Sequence, residues 1–339
     1  MRMTKRPTLK TLAQSSGVSV ATASQVIRGV GRISDHTRKK VLCAAKKINY
    51  IPDARAASMR SGERREIGMI IHELANPFNA EVVSGVSDYL DAHGYFVSVL
   101  DSRDNTDRQG RNIEAFIRSS RGGLIWVPAH KTPPATIKLL KKHGLPTITF
   151  LRRIKDANFD HIGIENAAGT QKATDYLIGL GHRKIAFFGG HYKSAVSKDR
   201  IAGYQYSLRR HGISWKIIWP SEENKLASVD RTNALFKTHP DITALVCNGD
   251  MVALGACHAL QAKGLVLGKD VSVIGFDDVS DASLVSPRLT TIAIKPYNLG
   301  KILAKTVLDR INDIFRPPHE VLSKTELVIR GTTGLPHIH

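Results

Sequence analysis

Cysteine is scarce in this chain. The three residues in 339, Cys43, Cys247 and Cys257, are odd in number and show no C-x-x-C spacing. A disulfide framework and a zinc ribbon are therefore not expected, and all three read as reduced structural thiols. Long apolar runs are also missing. The longest, such as 67–71 and 123–127, are strand-length, far below the ~20 residues of a membrane span, and the first residues lack the apolar stretch of a secretory signal. These absences predict a cytoplasmic chain with no membrane partner. Catalytic signatures are lacking as well: no G-x-S-x-G elbow, no P-loop, no H-E-x-x-H, and no G-x-G-x-x-G after a strand. His337 and His339 make only a lone terminal pair. No enzyme activity, metal or cofactor is expected.

Acidic residues are in deficit, 30 against 49 Lys and Arg, for a net charge of +19. The excess is uneven. Residues 1–65 hold 15 basic and 3 acidic side chains, while the other 274 hold 34 and 27. Positive charge concentrated in a fifth of the chain is the footprint of a polyanion partner.

The pattern inside that segment is more specific. Thr8 can cap a helix from Leu9 to about Ser15, and Gly17 supplies the tight turn after it. Ser19 then caps a second helix, Val20 to about Ile27, stopped by Gly29 and Gly31, and Ser34 caps a third carrying Val41, Ala44, Ala45 and Ile48 inside. Short helices around such a turn make a helix-turn-helix, whose second helix enters the major groove of DNA. Ala23, Val26 and Ile27 face the small core, so Val20, Ala21, Ser24 and Gln25 face outward. Gln25 can pair bidentately with adenine, and Val20 and Ala21 can touch a thymine methyl. Ser19, Thr22, Arg28 and Ser34 suit phosphate contacts, which position the helix without reading sequence. A structural or protein-binding three-helix bundle is the alternative.

The segments Thr8-Leu9-Lys10, Gly17 through Val26, Gly29, Ser34, Thr37-Arg38 and Asn49-Tyr50-Ile51-Pro52 resemble the headpiece of the lactose/galactose-repressor (LacI/GalR) family. Gly31-Arg32-Ile33-Ser34 is similar to its maltose-type members. Gln25 departs from the Arg usual there, so operator preference is not transferable. The resemblance further implies that residues 53–65 form a hinge that folds on DNA, with Met59 as an apolar minor-groove wedge and Arg55 and Arg60 on phosphates. Asp53 and Ala57 depart from the usual Asn and Arg, which leaves a passive linker as the other reading.

From residue 66, short apolar runs alternate with amphipathic helical stretches. That order predicts an α/β core of doubly wound parallel sheets covered on both faces. Its length favours two lobes: lobe 1 over about 66–165 and 293–323, lobe 2 over about 166–292 and 324–339. The expected domains are thus a helix-turn-helix over 1–52, the hinge over 53–65 and an effector-binding, dimerising core over 66–339. Ligands in open α/β sheets sit beyond the carboxyl ends of the strands.

The core motifs Asn76-Pro77-Phe78, 180–186, Arg200 through Tyr204, Gly275-Phe276-Asp277-Asp278 and 289–292 resemble the same family's regulatory core, akin to periplasmic sugar-binding proteins. Together with the headpiece, the likeness spans essentially the whole chain. It implies a transcription regulator, most simply a repressor, that binds a double-stranded DNA operator as a homodimer. A small-molecule effector, a sugar or sugar derivative, would sit in a cleft lined by Phe78, Asn79, Arg152, Glu165, Arg200 and Asp277. The absence of a trailing leucine heptad favours a dimer over a tetramer. Leu151 stands where many members carry Asp, Gly249 replaces a usual Asn, and a ring-stacking aromatic near Asn224 is missing. Arg152 could converge with Arg200 on an anionic ligand, or instead face solvent or pair with Asp156 or Glu165. A regulator governed by a protein partner, with a vestigial cleft, and a cytosolic solute-binding protein remain the alternatives.

Overall fold

The computed structural model describes residues 7–52, 65–119, 122–191 and 194–337. The chain divides into two compact units, Met1–Arg64 and Arg65–His339.

The first unit is helical. Helix α1 (Leu9–Ser16) is capped by Thr8, whose hydroxyl accepts from the Thr11 amide, and ends at Gly17 with φ +60°. Helix α2 (Val20–Arg28) is capped by Ser19 and ends at Gly29 with φ +69°. Helix α3 (Asp35–Lys47) is capped by Ser34 and carries Lys46 and Lys47 in its last turn, where cations complement the helix dipole. Leu12, Ala13, Ala23, Val26, Val41, Ala44 and Ala45 form its buried core. A cap needs only i to i+3 contacts, which is why all three helices start after their expected caps and the first two end within a residue of their expected bounds.

The second unit holds two six-stranded sheets. In the first, the order is β11 (Glu320–Ser323), β5 (Asp160–Ile164), β4 (Thr147–Phe150), β3 (Gly123–Trp126), β1 (Glu66–Ile71) and β2 (Phe96–Asp101), all parallel. In the second it is β12 (Glu326–Val328), β10 (Thr290–Ala293), β9 (Ser272–Asp277), β8 (Ala244–Cys247), β6 (Ile185–Phe188) and β7 (Ile217–Trp219), parallel except for β12 on β10. Parallel neighbours require crossover connections, and apart from the loop that joins β4 to β5 these carry helices. They are α4 (Pro77–Ala92), α5 (Thr106–Arg118), α6 (Pro134–Lys142), α7 (Asn166–Gly179), α8 (Ala195–Arg210), α9 (Lys225–Thr238), α10 (Asp250–Ala262), the short α11 (Ser280–Leu284) and α12 (Pro296–Asn312). The fold is the two-lobed α/β core that alternating runs predict.

Several elements had no clear apolar signature. Strand β5 carries Asp160 and His161, so it lacks a hydrophobic run, yet every residue in it is buried. Asp160 accepts from Arg310 Nε at 2.8 Å, Arg316 Nη2 at 2.9 Å and the His319 amide at 2.7 Å, which is how a fully buried carboxylate is tolerated there. Helix α6 opens with Pro at its first position, which reads as a breaker in sequence although proline fits the first turn. Strands β7 and β12 have three residues each, too few for a period.

The chain passes between the sheets three times: from β5 into α7, from β10 into α12, and from β11 into β12. Helix α12 returns to lobe 1 by packing on α4. A Cβ on Gly85 would fall 2.0 Å from the Tyr297 carbonyl oxygen, and one on Gly300 2.2 Å from that of Val82. Only glycine permits that approach.

Candidate functional site

The outward face of α2 is the first candidate. Val20 and Ala21 are exposed, and Arg28 is exposed with its Nε donating to the Ser24 carbonyl at 3.3 Å. Ser24 and Gln25 are half-buried. The Gln25 amide lies over Gly31, 3.2 Å from where a Cβ would sit. The loop after the helix therefore confines Gln25, which the helical period alone did not indicate. Ser19 and Ser34 spend their hydroxyls on the Thr22 and Thr37 amides, and Thr22 pairs its own with Ser19 at 2.9 Å. Arg55, Met59 and Arg60 lie outside the described residues.

The second candidate is a cleft of about 1100 Å³ between the two lobes of the core. Its walls come from residues just beyond strand ends: His72 and Glu73 after β1, Arg152 after β4, Gly190 after β6, Asn248 after β8, and Asp277 closing β9. That is where the carboxyl ends of two facing parallel sheets put a ligand. Phe78, Arg152, Arg200 and Asp277 line it. Asn79 and Glu165 do not. Asn79 is fully buried behind the wall with its amide donating to the Glu73 carbonyl at 2.6 Å. Glu165 serves as the residue preceding α7, its amide bonded to the Ser323 carbonyl at the crossing. Counting helical register from α4 and the crossing gave their positions but not the direction of their side chains.

Arg152 neither faces solvent nor pairs with Asp156 or Glu165. Its Nη1 donates to Asp104 Oδ1 at 2.6 Å and to the Pro128 carbonyl at 3.0 Å. Burial opposes ionisation of Asp104, but the Arg152 guanidinium together with the His130 amide and ring outweighs it and holds the carboxyl below its ordinary range. His130 Nε2 sits 3.1 Å from the same carboxylate. Burial and then Arg152 push the His72 imidazole down to about 4, so it stays neutral.

On the opposite wall Arg200 is buried. It donates from Nε to Asn166 Oδ1 at 2.9 Å and from Nη1 to the Asn248 carbonyl, and its plane lies 3.5 Å from the centre of the Phe276 ring. Its Nη2 is 3.6 Å from Asp277 Oδ1. Burial lowers the Arg200 pKa and raises that of Asp277, so desolvation outweighs their attraction at this separation. Asp250, fully buried behind them, accepts from Thr291 at 2.6 Å and the Val279 amide at 2.9 Å, and burial beside Asp277 pushes its carboxyl far up.

Glu223 and Asn248 were not singled out in sequence. Asn248 Nδ2 donates to Glu223 Oε1 at 2.6 Å, and burial with Asp277 nearby pushes the Glu223 carboxyl up to about 7 against the pull of Arg200. The position of Asn248 immediately after an apolar run was the available signal, since strand ends line such clefts.

A helix-turn-helix in one unit, and in the other a cleft between two parallel sheets, match known proteins along nearly the whole chain. Residues 8–53 match the family described as bacterial regulatory proteins, lacI family, and residues 174–333 match the periplasmic binding protein-like domain. The ribose operon repressor of Haemophilus influenzae is 32% identical over 90% of this chain and 92% of its own length. The HTH-type transcriptional repressor PurR of Vibrio campbellii is 30% identical over 96% and 98%. The solved lac repressor dimer, bound to operator and the anti-inducer ONPF, superposes with a TM-score of 0.87 at 26% identity, covering 97% of this chain and 99% of that one. The chain belongs to the lacI family of bacterial regulatory proteins and is a DNA-binding transcription regulator.

Proposed function

We propose that this protein is a cytoplasmic repressor, without enzyme activity, that holds a near-palindromic operator as a homodimer and changes its DNA affinity when a sugar-like solute enters the interlobe cleft. Residues 1–52 read the major groove, 53–65 act as the hinge, and 66–339 bind the effector and pair the subunits. Gln25, with Val20, Ala21 and Ser24, contacts base edges. Ser19, Thr22, Arg28 and Ser34 meet phosphates, as do Arg55 and Arg60, and Met59 wedges the minor groove. In the cleft Arg152, Arg200 and Asp277 bind hydroxyls, and Phe78 packs against the carbon frame. Asn79 and Glu165 act from behind, by fixing the Glu73 carbonyl and the crossing into α7.

The observation that carries this reading is the donor count on Arg200. A guanidinium has five N–H groups. Two of them donate to Asn166 Oδ1 and the Asn248 carbonyl, and Nη2 lies 3.6 Å from Asp277, which together hold the plane on Phe276 at the cleft wall with donors to spare. A fixed, partly satisfied fork of this kind offers donors to hydroxyls or a carboxylate. The test is to sequence genomic fragments retained by the full chain, then footprint one with and without a panel of sugars. A protected palindrome whose occupancy responds to a sugar supports the proposal. Retention of random fragments refutes the operator reading, and occupancy indifferent to every solute in a whole-cell extract refutes the effector reading.

A further inference from the structure

The charged groups of the cleft are unevenly satisfied. Every guanidinium lining it already has a protein partner. Arg152 is held by Asp104, and Arg200 by Asp277 and two asparagines. Arg231 donates to the Pro220 carbonyl at 2.9 Å and lies over Trp219, and Arg103 is mostly solvent-exposed beside Asp101. The carboxylates outnumber them, seven to four among the described lining residues. Glu73 of lobe 1 and Glu222 of lobe 2 oppose one another across the gap, each a like charge to the other.

The excess is sharpest beside Gly249. A Cβ placed there would lie 2.8 Å from Glu223 Oε2 and 3.4 Å from Asp277 Oδ2, so the two oxygens are within about 6 Å of one another. A single ammonium can donate to both across such a gap. Asn248, 5% exposed and lining the cleft, uses its amide nitrogen on Glu223, and its Oδ1 is buried with no partner among the described residues. A buried acceptor of that kind calls for a donor. Gly249 has φ −155°, an ordinary extended conformation, so the backbone does not demand glycine here. What glycine provides is room: any side chain at this position crowds the Glu223 carboxylate.

Building on the effector reading above, we propose that the solute recognised by this cleft carries a positively charged amine on a hydroxyl-bearing frame, an amino sugar or amino polyol, with the ammonium seated between Glu223 and Asp277. Its hydroxyls take the remaining donors of Arg200, and a further N–H or O–H satisfies Asn248 Oδ1. The arrangement reverses the anionic alternative raised by Arg152 and Arg200 in the sequence, because both guanidinium groups are already neutralised by the protein's own acids.

The test is calorimetric titration of the full-length protein with D-glucosamine, D-galactosamine, D-glucose, D-galactose and D-glucuronate. In parallel, the protein is equilibrated with a bacterial metabolite extract and the retained solute is identified by mass. Amino sugars binding at least tenfold more tightly than their neutral parents, or retention of an amine-bearing solute, is the expected result. Glu223→Gln should abolish that preference while keeping the wild-type circular dichroism spectrum. Gly249→Asn, which intrudes on the same carboxylate, should do likewise and guards against a misfolded first variant. Equal or tighter binding of a neutral or acidic sugar, retention of such a solute, or a preference unchanged in Glu223→Gln overturns the inference and leaves the regulator intact. Retention of nothing from the extract by wild-type protein defeats this inference together with the effector reading.

Discussion

Glu223→Gln should stabilise the ligand-free protein, and only above a particular pH. The Glu223 carboxyl is pushed from 4.5 up to about 7, chiefly by burial. A carboxyl whose pKa is higher folded than unfolded takes up its proton more readily in the folded state. Its contribution to stability is therefore fully present below pH 4.5 and is lost as pH rises through 7. At about 1.4 kcal/mol per pH unit, the rise from 4.5 to about 7 caps the loss at about 3.5 kcal/mol. Solvent in the cleft screens part of that, leaving about 2 kcal/mol. Glutamine keeps an oxygen to accept from Asn248 and cannot ionise, so it escapes the loss. Urea unfolding at one protein concentration, repeated from pH 5 to pH 8, reads the difference directly, since other titrating groups cancel between the two proteins. The variant should match wild type near pH 5 and exceed it by about 2 kcal/mol at pH 8. A difference that stays flat across that range, or that grows towards acid, refutes the claim that Glu223 is a carboxylate short of a counter-cation.

Arg200→Ala removes the cation facing Asp277, and should cost about 3–5 kcal/mol at pH 8. The cost should shrink at pH 6, where the unopposed Asp277 carboxyl takes a proton; thermal melts at the two pH values giving equal losses would contradict this. Asp160→Asn strands Arg310 and Arg316 beside a neutral amide, with an expected loss of about 3–5 kcal/mol in urea unfolding. Operator protection by the folded fraction should be unchanged, and a stability loss under about 1 kcal/mol would show that the cluster is not held by its charge. Gln25→Ala should weaken operator binding by about 1–3 kcal/mol and relax preference at one base pair per half-site. Uniform weakening on all sequences in a binding-selection assay would mean that Gln25, confined over Gly31, supports the loop instead of reading a base.

The sequence by itself determined everything whose cause lies within a few residues. Ser19, Ser34 and Thr8 each satisfy an amide three positions on, and Gly17 and Gly29 adopt the positive φ that ends their helices. The helix-turn-helix is therefore legible in the order of residues alone. Alternating apolar runs and helical periods likewise pointed to a parallel α/β core, because a helix is the usual crossover between parallel strands. Strand β5 escaped that logic, since Asp160 becomes tolerable only when Arg310 and Arg316 arrive from about 150 residues away. The cleft escaped it further. Tertiary structure alone decided that Arg152 is neutralised by Asp104, 48 positions earlier, and that Glu223 meets Asn248, 25 positions later. Side-chain direction turned Asn79 behind the wall and Glu223 into the cavity, and Glu165 is not among the lining residues. Fold follows from patterns that local chemistry repeats along the chain, whereas the charge of the cleft depends on which distant strand ends meet, and no local pattern encodes that.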